Sequence, residues 1–137
     1  MLGEKLILIL EDDAYVALDL AGAVEDANGC VSGPAASVGE AMDLLDGQPI
    51  AAAILDVQTS GGDVTSLAQR LRPLGLSFVV QSATGLPVKL MELGLGLRVL
   101  IKPLQPRAIV AALLVEIEAT RQLTSSRDLV PAAAVAV

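Results

Sequence analysis

Five short runs rich in Leu, Ile, Val and Ala punctuate this chain, and a segment of helical period follows each one. Leu6 to Leu10 (LILIL) is wholly apolar. Cys30 to Ala35 is a weaker run with Pro34 near its end. Ile50 to Leu55 leads into Asp56, Ser77 to Gln81 (SFVVQ) stops at Ser82, and Val99 to Ile101 stops at Lys102-Pro103. Runs this short have strand length, and strands covered on both faces read as continuous apolar stretches rather than alternating ones. Between the first two runs, Val16, Leu20, Val24 and Ala27 recur three and four apart, behind a candidate cap at Asp13 and ahead of Asn28-Gly29. Ser37 and Glu40 have capping-box spacing and open a second helix that carries Ala41, Met42, Leu44 and Leu45 up to Gly47-Gln48-Pro49. Asp63 caps a third, with Val64, Leu67, Ala68 and Leu71 inward, ending at Pro73-Leu74-Gly75. A short fourth helix covers Val88 to Leu93 behind Pro87, and Gly94 and Gly96 follow it. The fifth runs from about Pro106 to Gln122, with Ile109, Ala112, Leu113 and Ile117 on one face. Strand and helix alternating five times predict an α/β fold on a parallel sheet. One domain is expected over residues 1–122, with residues 123–137 as a flexible C-terminal tail.

Composition narrows the function. Of 137 residues, 53% are apolar, but there is one Tyr, one Phe and no Trp, so the core must be aliphatic. Stacking on nucleic-acid bases loses its usual aromatic platforms. A net charge of −7 repels polyanions, so no direct nucleic-acid partner is expected. The absence of histidine removes Ser-His and Cys-His catalysis and imidazole metal ligands together. One cysteine, Cys30, excludes an internal disulfide, fits a reducing compartment and reads as a small buried apolar residue. No apolar run approaches membrane-spanning length, and MLGEKLILIL is too short for a signal peptide. No membrane partner and a cytoplasmic location are therefore expected. There is neither Gly-x-Gly-x-x-Gly nor Gly-x-x-x-x-Gly-Lys-Ser/Thr, which removes the main support for nucleotide binding.

The polar residues that end the strands carry the functional signal. In a parallel sheet all carboxyl ends lie on one edge, where ligands bind. That edge would receive Glu11 and Asp12 from the first strand, Asp56 from the third, Ser82 with Thr84 from the fourth, and Lys102 from the fifth. Carboxylates so close repel one another and call for a cation. Oxygen donors without His or Cys suit Mg²⁺, which retains waters and binds beside phosphoryl groups. Taken singly, each residue has a plainer reading. Glu11-Asp12-Asp13 could serve a helix N-terminus, Asp56 a turn, Lys102 a solvated strand end, and Ser82 a loop amide. Tyr15, one turn into the first helix, reads as a rim or core residue.

In these motifs the sequence resembles the receiver domains of two-component response regulators over roughly residues 5–120. The resemblance rests on Glu11-Asp12, Asp56, Ser82-Ala83 and Lys102-Pro103 taken in order. It implies a flavodoxin-like (βα)5 fold, a doubly wound parallel five-stranded sheet whose strand order, 2-1-3-4-5, is carried over from the family. It implies that Asp56 accepts a phosphoryl group from a partner's phosphohistidine. Asp12 would bind Mg²⁺ directly, Glu11 through water, and Gln58 through its backbone carbonyl. Lys102 would pair with the phosphoryl oxygens, and Ser82 or Thr84 would supply the responding hydroxyl. Implied partners are a sensor histidine kinase or phosphotransfer protein, a downstream protein target, and as an option a second copy through the fourth helix, fifth strand and fifth helix. The chain would be a phosphoryl acceptor with at most slow autodephosphorylation, not an enzyme in the ordinary sense.

The sequence also departs from the family. Asp56 is followed by VQTSGGDV, a Gly-rich loop similar to that of receivers serving a divergent class of histidine kinases. The usual aromatic switch position, three residues before Lys102, is Val99. An order–disorder change in residues 83–98 is the expected substitute for a rotating ring. Two other readings remain open at this stage. One is a pseudo-receiver that binds partners without phosphorylation. The other is a haloacid-dehalogenase-type phosphatase, whose second Asp would stand where Gln58 is found. No output domain is expected after residue 120, so the output would be protein contact or a phosphate sink or relay, unless the chain is a fragment of something longer.

Overall fold

The structure is a computed structural model describing residues 1–59, 63–85, 87–94 and 96–129. The strands are β1 (Leu6–Leu10), β2 (Cys30–Ala35), β3 (Ala52–Asp56), β4 (Ser77–Ser82) and β5 (Arg98–Ile101). They alternate with α1 (Ala14–Asp26), α2 (Val38–Gly47), α3 (Val64–Leu71), α4 (Val88–Glu92) and α5 (Pro106–Leu129). All strand pairs are parallel, and the sheet order is β2-β1-β3-β4-β5, the order the resemblance implies.

Successive strand residues point to opposite faces, so each central strand feeds two cores. Leu8, Leu10, Ala53, Leu55, Phe78 and Val80 face α2, α3 and α4, meeting Leu45, Leu67, Leu71 and Leu90. Ile7, Ile9, Ala52, Ile54 and Val79 face α1 and α5, meeting Leu20, Val24, Ile109 and Leu113. Burial on both faces explains the uninterrupted apolar runs. Phe78 is the largest side chain in this aliphatic interior, and the Arg72 guanidinium lies 4.9 Å from its ring centre.

Local signals place the helix starts. Asp13 accepts from the N–H groups of Tyr15 and Val16, and Asp63 accepts from that of Thr65. Ser37 accepts from the Glu40 N–H at 3.2 Å, while the Glu40 carboxylate takes the N–H of Ala36, one residue ahead of the cap. α1 ends with Asn28 in the left-handed region (φ 63°); Asn28 N–H reaches Glu25 O and Gly29 N–H reaches Val24 O. These are the two bonds of a Schellman closure, with Asn in the position glycine usually takes.

Two expectations, on Cys30 and on the end of the last helix, need correction. Cys30 is exposed, because β2 is an edge strand and its first residue faces outward. Tyr15, read as a rim or core residue, lies on the rim, 84% exposed. The last helix does not stop at Gln122 but continues to Leu129, since neither Gly nor Pro interrupts it before Pro131. Residues 123–129 of the expected tail are thus helical, and residues 130–137 lie outside the described residues, as do Ser60-Gly61-Gly62 of the Gly-rich loop.

Two glycines of the α1 region should respond oppositely to alanine. A Cβ at Gly22, inside α1, meets nothing within 4 Å. Gly22→Ala should raise stability by about 0.5–1 kcal/mol through reduced backbone entropy. A Cβ at Gly29 would lie 2.6 Å from Leu2 Cδ1 and 2.8 Å from Val24 Cγ1. Gly29→Ala should lower stability by about 1–3 kcal/mol through overpacking. Urea unfolding midpoints at constant m-value check both.

Candidate functional site

Strand register brings the candidate residues to one edge. Leu10 is level with Leu55, so Glu11, the residue just after β1, follows at the same edge as Asp56, the last residue of β3. Asp56 is in register with Gln81, and Ser82 with Ile101. Lys102 leaves β5 one residue later, its N–H bonded to Ser82 O at 2.8 Å. Glu11, Asp12, Asp56 and Lys102 therefore meet, as the sequence predicts.

The geometry is tight. Lys102 Nζ lies 2.8 Å from Asp56 Oδ2 and 3.7 Å from Glu11 Oε1. The Gln58 N–H donates to Asp56 Oδ1 at 2.9 Å, and the Thr59 hydroxyl donates to the Asp56 carbonyl at 2.7 Å. Glu11 and Asp56 are buried, whereas Asp12 is exposed. One carboxylate oxygen from each of the three acids lies within 4.8 Å of the others.

Electrostatics follow from this crowding. Burial pushes Glu11 up to about 8, aided by proton sharing with Asp56 and by the Asp56 charge, against the pull of Lys102. Burial also opposes ionisation of Asp56, but hydrogen bonds from Glu11, Lys102 and the Gln58 N–H outweigh it and hold its carboxyl below the ordinary value. Desolvation likewise opposes the Lys102 charge and is overcome by Asp56, Glu11 and Asp12, which raise it. Without a metal, the cluster thus favours the neutral form of Glu11 and the charged forms of Asp56 and Lys102. Glu11 Oε2 is buried without a hydrogen-bond partner among the described residues. An orphaned carboxylate oxygen beside two further hard donors fits a small divalent cation.

The hydroxyl candidates sit differently from the acids. Ser82 is wholly buried; its hydroxyl donates to Gly85 O at 2.6 Å and accepts from the Thr84 N–H at 3.1 Å. Thr84 is exposed and accepts from Gln58 Nε2 at 3.1 Å. Neither hydroxyl has a hydrogen bond to Asp56 among the described contacts. Sequence reasoning missed two contributors. Thr59, three residues after Asp56, has the spacing of a local hydroxyl-to-carbonyl bond and could have been found. The Gln58 carboxamide could not, because its partners lie 24 to 26 residues away.

No protein-family model matches the sequence, and no curated protein does. Solved structures do match. A CheY-like response regulator receiver domain protein from Methanospirillum hungatei JF-1 superposes with a TM-score of 0.75 at 22% identity, over 86% of this chain and 97% of that one. A candidate response regulator from Chloroflexus aurantiacus J-10-fl gives 0.70 at 29% identity, over 83% and 98%. The receiver domain of the Francisella response regulator 1452 gives 0.70 at 20% identity, over 85% and 98%. The protein has the flavodoxin-like fold of response regulator receiver domains, and that fold supports a response-regulator role. Among the described residues no helix is long and apolar enough to cross a membrane.

The site's charge pattern sets a pH dependence. Folded protein keeps the Glu11 proton where an ordinary Glu, at 4.5, has lost it. The folded state binds more protons between about 4.5 and 8, so the contribution of Glu11 to stability falls as pH rises through that window. Asp56 has the opposite sign: its contribution is complete above 3.8 and is lost as pH falls below that value. In EDTA, Tm should therefore decline from about pH 5 to about pH 8. Glu11→Gln, which has no proton to lose, should flatten that slope in thermal melts.

Proposed function

We propose that this protein is a phosphoryl-accepting receiver, with Asp56 as the acceptor in a Mg²⁺-dependent transfer from a phosphohistidine. The observation that carries this reading is the convergence of Glu11, Asp12 and Asp56 within 4.8 Å, with Lys102 Nζ 2.8 Å from Asp56. An Asp56 carboxylate oxygen attacks phosphorus, the N–P bond breaks, and the donor imidazole leaves as its nitrogen gains a proton. Because the donor supplies the imidazole, the lack of histidine in this chain is no obstacle.

Each residue has a physical task. Asp56 remains ionised despite burial, which keeps its oxygen nucleophilic. Lys102 neutralises charge at the reacting oxygens and follows them to the phosphoryl group. Glu11, Asp12, Asp56 and the Gln58 carbonyl would hold Mg²⁺, which supplies charge neutralisation to the transferring group. Such a transfer asks little of a protein beyond positioning and electrostatics. Gln58 supplies no carboxyl to act as acid or base, which favours a stored acyl phosphate with slow autodephosphorylation over phosphatase turnover. A histidine kinase or phosphotransfer protein supplies the phosphoryl group, and a downstream protein reads the result. Val88 and Met91 of α4 and Ile101 of β5 are exposed apolar side chains on the elements suited to that contact or to a second copy.

Asp56→Asn keeps the shape of the acceptor and removes the nucleophile. Incubation with Mg²⁺ and acetyl phosphate should add one phosphoryl mass to the native protein and none to the variant, as read by intact-protein mass spectrometry. An equal gain in both would refute the assignment. Asp12→Ala should weaken Mg²⁺ binding at least about tenfold, whereas Asp13→Ala, which loses a helix cap, should cost about 1 kcal/mol of stability and little affinity. Mg²⁺ titrations and melts of the two variants separate these effects.

A further inference from the structure

Gln58 touches both the acceptor and the loop that follows β4. Its N–H donates to Asp56 Oδ1 at 2.9 Å. Its carboxamide reaches the other way: Nε2 donates to Thr84 Oγ1 at 3.1 Å and lies 3.5 Å from Ser82 Oγ, while Oε1 accepts from the Ala83 N–H at 3.1 Å. The Ser82 hydroxyl is already engaged, donating to Gly85 O and accepting from Thr84 N–H. It can meet an oxygen carried by Asp56 only by giving up Gly85, which opens the turn that Gln58 grips.

We propose that Gln58 is a positioning residue that couples the state of the Asp56 carboxylate to the conformation of residues 82–85. The inference rests on the acceptor reading above. In the unmodified protein the Gln58 N–H donates to a charged carboxylate, a charge-assisted bond. An acyl phosphate removes that carboxylate charge and sets a multiply charged group beside it, so the N–H turns toward phosphoryl oxygen. The carboxamide is carried by the same backbone and cannot keep its bonds to Thr84 and Ala83 through that turn. Releasing them frees Ser82 and Thr84 to face the new anion.

The aromatic side chains make this route necessary. The chain has one Tyr and one Phe; Tyr15 is exposed on α1 and Phe78 is locked in the core. Val99, on β5 beside Val80, has no ring to rotate. A ring flip therefore cannot report the site to α4 and β5, whereas Gln58 already joins the two loops.

Amide exchange measured by NMR, in EDTA and then with Mg²⁺ plus beryllofluoride, tests the coupling. Gln58→Met keeps the side-chain length and the backbone N–H but loses both polar atoms. In EDTA the Ala83 amide should exchange about three- to tenfold faster in Gln58→Met than in native protein, the fold-change of losing one ordinary hydrogen bond. Beryllofluoride should bring native Ala83 toward the variant's rate and change the variant's rate little. Gln58→Glu, which retains an acceptor for the Ala83 N–H, should restore protection in EDTA. Thr84→Val and the Gln58→Met/Thr84→Val pair should be non-additive. Equal Ala83 protection in native protein and Gln58→Met would overturn the proposal, as would a loop response to beryllofluoride that persists unchanged in Gln58→Met. A response at residues 56–58 alongside either result would leave the acceptor reading standing; no response anywhere would overturn both.

Discussion

Lys102 spans Asp56 at 2.8 Å and Glu11 at 3.7 Å, and this contact makes a buried acid pair tolerable at the edge of the sheet. Two carboxyls removed from water repel each other and lose hydration, and either cost alone would disfavour the folded state. The structure meets the problem twice. Burial shifts Glu11 toward its neutral form, and the Lys102 ammonium sits against Asp56. Lys102 can reach that position only if β5 runs parallel to β4 and ends level with Ser82, so the whole sheet order stands behind one contact.

The remainder of the molecule supplies rigidity at that edge and leaves latitude around it. Strands β1, β3 and β4 are buried on both faces by aliphatic side chains, which fixes the height at which each delivers its polar residue. Above that edge, α4 has five residues and no side-chain cap. Short helices of that kind draw their stability from packing, here chiefly through Leu90.

Much of this was legible in the residues themselves. Glu11-Asp12, Asp56 and Lys102 could be placed because each ends an apolar run, and a parallel sheet gathers such ends. The helix caps at Asp13, Ser37 and Asp63 were equally plain, since capping is a local bond between near neighbours. Cys30 misled because burial depends on where a strand lies in the sheet, and β2 lies at the edge. The fifth helix outran its expected end because a weak amphipathic period does not stop a helix that meets no Gly or Pro.

The sequence by itself determined the alternation of strand and helix, the aliphatic two-sided core and the identity of the polar residues at the carboxyl edge. These follow from period, chain breakers and the cost of burying charge, all of which act over a few residues. Tertiary structure alone decided that Ser82 turns its hydroxyl to Gly85, that Gln58 spans to Thr84 and Ala83, and that burial raises the Glu11 pKa. Each depends on the distance between loops far apart in the chain and on the solvent left between them, and neither quantity exists until the sheet has brought the strands together.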